Sequence, residues 1–257
     1  MTITKNELKE IASLQNKKYR KLQKRFIIEG KRLVEQGLSS RYLCEQILVT
    51  PDFEQNNHDF IRLIKISGKS VEVVKSSEFN KISDTKTPQG IAAVMQIPEK
   101  QNINFNEELI IALENVSDPG NMGAVLRNCD WFGVKTIIVS ETSADVYNSK
   151  VLRSSMGAAL TLNIVTSENF LETLKDLKSK KFSILTADMD GEPLYSYEPQ
   201  GKNVIVFSNE ANGPTDELLN LCTEKITIPK KGRVESLNVA CASSVILSEL
   251  TKSSHID

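Results

Sequence analysis

The run Leu109-Ile110-Ile111-Ala112-Leu113 is apolar without a break. A strand with one wet face alternates in polarity, so an uninterrupted run of this kind needs cover on both faces, the situation of an interior strand in a parallel sheet. Thr136-Ile137-Ile138-Val139 has the same character, and further strands are expected at 182–187, 203–208 and 225–228. Helical patterns lie between them: one carries Val125, Leu126 and Trp131, another Leu171 and Leu174, and a last helix is expected from about Leu237 to Lys252. Alternating strands and helices point to an α/β architecture. Parallel sheets bind ligands beyond the carboxyl ends of their strands. That directs attention to the loops 115–121, 186–192, 208–215 and 229–236.

Residues 1–98 read as shorter alternating units. Helices are expected at 4–15, after Gly30, at 58–66 and at 77–82, with strands at 26–28, 47–49, 71–74 and 90–94. The polar stretch from Pro98 to Asn106 marks a linker. The organisation expected is therefore a first α/β domain over 1–98, a linker over 99–107 and a second α/β domain over 108–257.

Charge separates these parts. Of 257 residues, 32 are Lys or Arg and 33 are Asp or Glu, a net charge of −1. Residues 1–98 alone hold 17 basic and 11 acidic side chains, a balance of +6, which leaves −7 for the remainder. Lys17, Lys18, Arg20, Lys21, Lys24 and Arg25 fall within nine residues. Such a cluster suits a phosphate backbone, which rewards cations through counterion release; a solvated helix face is the alternative.

Several functions are disfavoured. No apolar run approaches the roughly 18–20 residues that span a bilayer, and Met1-Thr2-Ile3-Thr4-Lys5 lacks the pattern of a signal peptide, so a cytoplasmic protein without a membrane is expected. Cys44, Cys129, Cys222 and Cys241 form no CxxC pair, and His58 and His255 are the only histidines. Buried free thiols are expected and a metal site is not. A Ser-His-Asp or Cys-His hydrolase has little to build with.

Three of the four loops are dense in Gly, Asn, Pro and charge. The first is Glu114-Asn115-Val116-Ser117-Asp118-Pro119-Gly120-Asn121 running into a helix through Arg127-Asn128, the second Phe207-Ser208-Asn209-Glu210-Ala211-Asn212-Gly213-Pro214, the third Ile228-Pro229-Lys230-Lys231-Gly232-Arg233-Val234-Glu235-Ser236-Leu237-Asn238-Val239-Ala240. Arg127 stands among apolar neighbours, where a guanidinium needs an anion: a phosphate, or an internal carboxylate. Ser236 reads as the N-cap of the final helix. Asn238, a poor helix former in the first turn, is better used by bonding across the cleft. The small residues from Ala240 to Ser244 allow another backbone to approach closely.

Together these segments resemble the SpoU family of RNA ribose 2′-O-methyltransferases, within the knotted SPOUT superfamily. Its first motif is similar to Asp118-Pro119-Gly120-Asn121-Met122-Gly123-Ala124-Val125-Leu126-Arg127, its second to Asn209-Glu210-Ala211-Asn212-Gly213, and its third to Ile228-Pro229 through Ser236-Leu237-Asn238-Val239-Ala240. Order and spacing match over roughly 109–252. Tyr19-Arg20, Phe26-Ile27-Ile28-Glu29-Gly30 and Thr87-Pro88-Gln89-Gly90 resemble the L30e-like substrate-binding domain that often precedes it. Two positions depart from the pattern: Ser208 stands where Gly is usual, and Lys230 where Met is usual.

The resemblance implies S-adenosylmethionine as methyl donor, held in a deep trefoil knot by Thr186, Ala187, Ser208, Asn209, Glu210, Gly213, Ile228, Pro229 and Leu237, largely through backbone groups. It implies a homodimer and no metal. A Rossmann-type methyltransferase would carry a Gly-rich GxGxG loop after its first strand, and 114–120 holds none.

The expected catalytic set is Arg127, Asn121, Glu210, Ser236 and Asn238. A guanidinium rarely accepts a proton, so Arg127 is assigned to the phosphate and the developing alkoxide. Glu210 is the candidate proton acceptor or the group orienting Arg127. RNA contact is assigned to Lys17, Lys18, Arg20, Lys21, Lys24 and Arg25, and to Lys230, Lys231 and Arg233. Ribosomal RNA is favoured over transfer RNA. A transfer-RNA enzyme and a non-catalytic RNA-binding or assembly factor of the same fold are the alternatives.

Overall fold

The computed structural model describes residues 3–99, 101–209 and 213–252. Two compact units emerge, Met1–Lys100 with Tyr147–Thr161, and Gln101–Val146 with Leu162–Asp257.

The first unit begins with α1 (Lys5–Ser13) and α2 (Lys17–Gln23). There follow β1 (Arg25–Glu29), α3 (Lys31–Leu38), β2 (Cys44–Val49), α4 (Pro51–Asn56), α5 (His58–Ile66), β3 (Val71–Val73), α6 (Ser76–Ile82) and β4 (Ile91–Gln96). A capping box starts α1: Glu7 N–H donates to Thr4 Oγ1 at 3.2 Å and Thr4 N–H to Glu7 Oε2 at 2.8 Å. The strands order as β1-β4-β2-β3, antiparallel except for β2 and β3. Leu8, Ile11 and Leu14 pack with Phe79 and Ile82 against Leu48, Ala92 and Val94.

The sequence reading drew one break, at the linker, yet the later segment Tyr147–Thr161 folds with the first unit. It carries α8 (Ser149–Ser154) and α9 (Ala158–Thr161). The Tyr147 ring lies 4.7 Å from that of Phe26, and Gln36 Nε2 donates to the Met156 carbonyl at 3.2 Å. Arg153 pairs with Asp84 at 3.3 Å.

The second unit is a six-stranded parallel sheet in the order β10-β8-β9-β5-β6-β7. Its strands are β5 (Leu109–Glu114), β6 (Thr136–Ser140), β7 (Asn163–Ser167), β8 (Phe182–Pro193), β9 (Lys202–Ser208) and β10 (Glu224–Thr227), with helices α7 (Pro119–Trp131), α10 (Phe170–Ser179), α11 (Asp216–Leu221) and α12 (Val239–Leu250). As the unbroken apolar run demands, Ile110 to Leu113 are fully buried at the centre. Phe170, Leu174 and Leu177 of α10 and Leu218 of α11 pack on Ile110, Ala112, Ile184, Val204 and Val206.

The chain leaves β5 for β6 and β7 on one side, then returns through β8 and β9 to the other. β5 and β9 are therefore neighbours at the point where the order reverses, and open α/β sheets bind ligands beyond the carboxyl ends of the strands at such a point.

Two expectations at strand and helix ends need correction. The strand expected at 182–187 runs on to Pro193, and the loop expected at 186–192 is a break inside it: Thr186 pairs with Lys225, but the next residue of β10, Ile226, pairs with Glu192. Gly191 permits this, since a Cβ there would lie 2.6 Å from the Ile226 backbone. The final helix starts at Val239, not at Leu237.

Candidate active site

Asp118 opens the site. Its side chain caps α7, accepting from Asn121 N–H at 2.8 Å, and Pro119 occupies the first turn where no donor is needed. This places Asn121 on the first turn and Arg127 on the exposed side of the helix. Among the described residues Arg127 has no carboxylate partner within ion-pair distance, so the internal salt bridge weighed from sequence is absent there.

Asn238 sits at the start of α12. The sequence made Ser236 its N-cap; instead Asn238 is the cap, with Oδ1 accepting from Ala240 N–H at 2.9 Å. Ser236 lies exposed two residues ahead. The Asn238 amide still reaches across, donating from Nδ2 to Asn121 Oδ1 at 3.0 Å. First and third motifs therefore meet through a hydrogen bond between residues 117 apart in the chain. Farther along, Asn128 Nδ2 donates to the Ala240 carbonyl at 2.8 Å and to Ser243 Oγ at 3.0 Å. The small residues of α12 allow α7 this close.

The second motif joins the first. Asn209 Nδ2 donates to the Asn115 carbonyl at 3.0 Å, and Asn115 holds a left-handed φ of 56° at the end of β5. Gly213 donates its N–H to the Asn209 carbonyl at 2.8 Å and holds φ 64°, a conformation that glycine adopts at little cost. Glu210 lies outside the described residues.

A residue missed from sequence stands behind Ser208. Glu114, the last of β5, is buried and accepts from Ser208 Oγ, Thr215 N–H and Thr215 Oγ1. The only signal was a carboxylate ending an apolar run.

On the adjacent wall, Thr186 is fully buried and its Oγ1 has no hydrogen-bond partner among the described residues. Ala187 is half-buried. Burial raises the pKa of Asp188, but the hydrogen bonds from Lys225 Nζ, at 3.0 Å, and from Asp190 N–H outweigh it, and the net shift is downward. That carboxylate is paired, not free. Ile228 is half-buried, while Pro229 and Leu237 are exposed, as are Lys230, Lys231 and Arg233.

In the basic cluster, two assignments fail. Arg20 is 3% exposed, and its Nη1 donates to the carbonyls of Leu14 and Gln15 at 2.7 and 2.8 Å, satisfying the end of α1. Arg25 lies 3.5 Å from both Glu10 and Glu45. Neither is a surface cation awaiting a phosphate. Lys18, Lys21 and Lys24 are exposed and Lys17 is half-buried. Of the four thiols, Cys44 and Cys129 are buried, Cys222 is half-buried and Cys241 is exposed, against the expectation that all would be enclosed.

The arrangement at the strand ends has a counterpart among known proteins. The profile of the SpoU rRNA Methylase family matches residues 108–248. The chain belongs to that family. As a SpoU methyltransferase it also carries the MRM3-like substrate binding domain over residues 5–93. The Bacillus subtilis (strain 168) 23S rRNA (guanosine(2553)-2′-O)-methyltransferase RlmP is 31% identical over 246 residues, covering 95% of each chain. The 23S rRNA (guanosine-2′-O-)-methyltransferase RlmB of Bordetella pertussis is 30% identical over 198 residues, 74% of this chain and 81% of that one. A TrmH-family structure from Porphyromonas gingivalis superposes with a TM-score of 0.86 at 32% identity, over 97% of this chain and 98% of that one. The SpoU fold, a parallel sheet following a small α/β substrate-binding domain in the chain, is the architecture described above.

Proposed function

We propose that this SpoU enzyme transfers a methyl group from S-adenosylmethionine to a ribose 2′-hydroxyl in ribosomal RNA. The observation that carries the reading is the Asn238–Asn121 hydrogen bond, which joins the third motif to the first. The RNA target follows the printed activities of RlmP and RlmB, both directed at 23S rRNA.

The residues present suit the donor. Beyond β9, Asn209 and Gly213 offer backbone groups, and Ile228, Pro229 and Leu237 offer apolar surface that the core leaves partly or wholly uncovered. Bound there, S-adenosylmethionine supplies an electrophilic methyl on a sulfonium. For that methyl to be accepted the ribose hydroxyl would have to give up its proton, so the site needs a proton acceptor beside its phosphate-binding cation.

The chain's own part is positioning and charge stabilisation. Arg127, exposed and without a carboxylate partner among the described residues, holds the phosphate next to the reacting ribose and steadies the developing alkoxide. Asn121, Ser236 and Asn238 orient ribose and phosphate. Glu210 is assigned to the proton or to aligning Arg127.

We further read the last three loops as a deep trefoil knot and the enzyme as a homodimer. The order β10-β8-β9-β5, in which late strands flank the first, supports the knot. Trp131, 81% exposed at the end of α7, supports a subunit interface.

The test measures both steps on the full chain. Calorimetry with S-adenosylmethionine should give one site per subunit, and ribose methylation of total RNA from a deletion strain should lose a single 23S position. Arg127→Ala should abolish transfer while donor affinity stays within about twofold, since the guanidinium is assigned to phosphate and not to the donor. Loss of both together counts against the assignment. Loss of a transfer-RNA site in the deletion strain would move the target, and stoichiometric RNA binding without donor uptake would favour a non-catalytic factor.

A further inference from the structure

Glu114 and Ser208 are register partners at the carboxyl ends of β5 and β9. The Glu114 carboxylate is 4% exposed and its oxygens are occupied from one direction in the chain. Ser208 Oγ donates to Oε2 at 2.9 Å, Thr215 N–H donates to the same oxygen at 3.2 Å, and Thr215 Oγ1 donates to Oε1 at 2.6 Å. Ser208 ends β9, and Thr215 is the N-cap of α11. One side chain thus grips both ends of the segment that carries the second motif.

An aliphatic residue would continue the run Leu109–Leu113 without removing a carboxylate from water, so the sheet itself gives no reason for a glutamate. What it holds does. Without those acceptors, among the described residues Ser208 and Thr215 keep the pairing of their own strand and helix, and Asn209 beyond Ser208 keeps its contacts to the Asn115 carbonyl and Ser117 Oγ. The serine that replaces the usual glycine also finds its use here, because its hydroxyl is committed to the carboxylate.

We propose that Glu114 is a positioning residue for the methyl-donor loop. It fixes the separation of Ser208 and Thr215, and through them the backbone on which the donor rests; the inference rests on the donor reading given above. Glu114 touches neither donor nor RNA in this scheme, so its removal acts on donor binding and spares RNA binding.

The test is calorimetric titration of the full-length protein with S-adenosylmethionine, alongside RNA affinity and melting temperature. Glu114→Ala should weaken donor binding by about tenfold, or ~1.4 kcal/mol, with RNA affinity unchanged. Glu114→Gln should recover most of that loss: its amide oxygen accepts from Ser208 and from Thr215 N–H, and its NH2 donates to Thr215 Oγ1. Ser208→Ala should weaken donor binding less, and add little in the Glu114→Ala background because the two remove one shared contact.

A Glu114→Ala protein that melts earlier yet binds donor with wild-type affinity overturns the proposal, as does equal loss of donor and RNA binding. Should Glu114→Ala fail to fold, Ser208→Ala decides: weaker donor binding supports the proposal and wild-type affinity overturns it. A wild-type protein that takes up no S-adenosylmethionine overturns the donor reading itself, and this inference with it.

Discussion

Single side chains decide more here than their chemical type reveals. Arg20 and Arg127 are both arginines on helices, but one is enclosed and spent on backbone carbonyls while the other faces solvent. Sequence placed both with nucleic acid because charge is visible in a sequence and burial is not. Thr186 makes the same point from the polar side. The resemblance puts it on the donor wall, and its enclosed hydroxyl has no partner among the described residues. A buried donor left unpaired costs stability, while an apolar group of similar shape in its place is neutral or favourable. Thr186→Val should therefore melt at or slightly above the wild-type temperature and bind S-adenosylmethionine equally well, since any contact there comes from the backbone. A large loss of donor affinity in a titration would show instead that the hydroxyl turns to the ligand.

At the level of elements, the start of α12 joins two duties in one residue. Asn238 caps the helix through Oδ1 and crosses to Asn121 through Nδ2. Removing a cap costs about 1 kcal/mol. Asn238→Ala should accordingly lower the melting temperature by about 2–4 °C, as expected for a chain of this size, and also reduce methylation. Asn238→Ser keeps a capping oxygen but is too short to reach Asn121, so it should restore the melting temperature and leave methylation low. Recovery of both in a combined melting and methyl-transfer assay would mean that the cross-contact is idle.

The central strands were legible because a doubly covered strand must be apolar throughout. β7 was missed, since Asn163-Ile164-Val165-Thr166-Ser167 is short and polar at its ends. The break in β8 was seen only as a loop: its Asp and Gly residues signal a turn, while the pairing that resumes at Glu192 depends on β10. The candidate site was readable in its motifs and not in its scaffold. Asn121, Arg127 and Asn238 follow from resemblance; Glu114 lies outside every motif and emerges only once β5 and β9 are seen side by side.

For the molecule as a whole, the near-zero net charge conceals a basic first part and an acidic second part. Attraction to a polyanion should then be carried by the first part and the basic loop. Arg20 and Arg25 are engaged within the first unit, and the lysines of the cluster assigned to RNA are Lys17, Lys18, Lys21 and Lys24. Neutralising all four should reduce the slope of log affinity against log salt by about 3 for single-stranded or looped RNA. Filter binding across a salt series reads this directly, and an unchanged slope would move the RNA surface elsewhere. Among the described residues no helix is long and apolar enough to cross a membrane.

The placement of Tyr147–Thr161 bears on how such a protein can be cut and rejoined. A graft made at the polar connector near residue 100 would carry away one of the rings that shield Phe26, along with the guanidinium facing Asp84. Any transplant of the leading portion into another enzyme has to bring a matching piece from the middle of its host. The two halves of this gene are therefore not interchangeable cassettes, and they can drift apart only as fast as that borrowed segment allows.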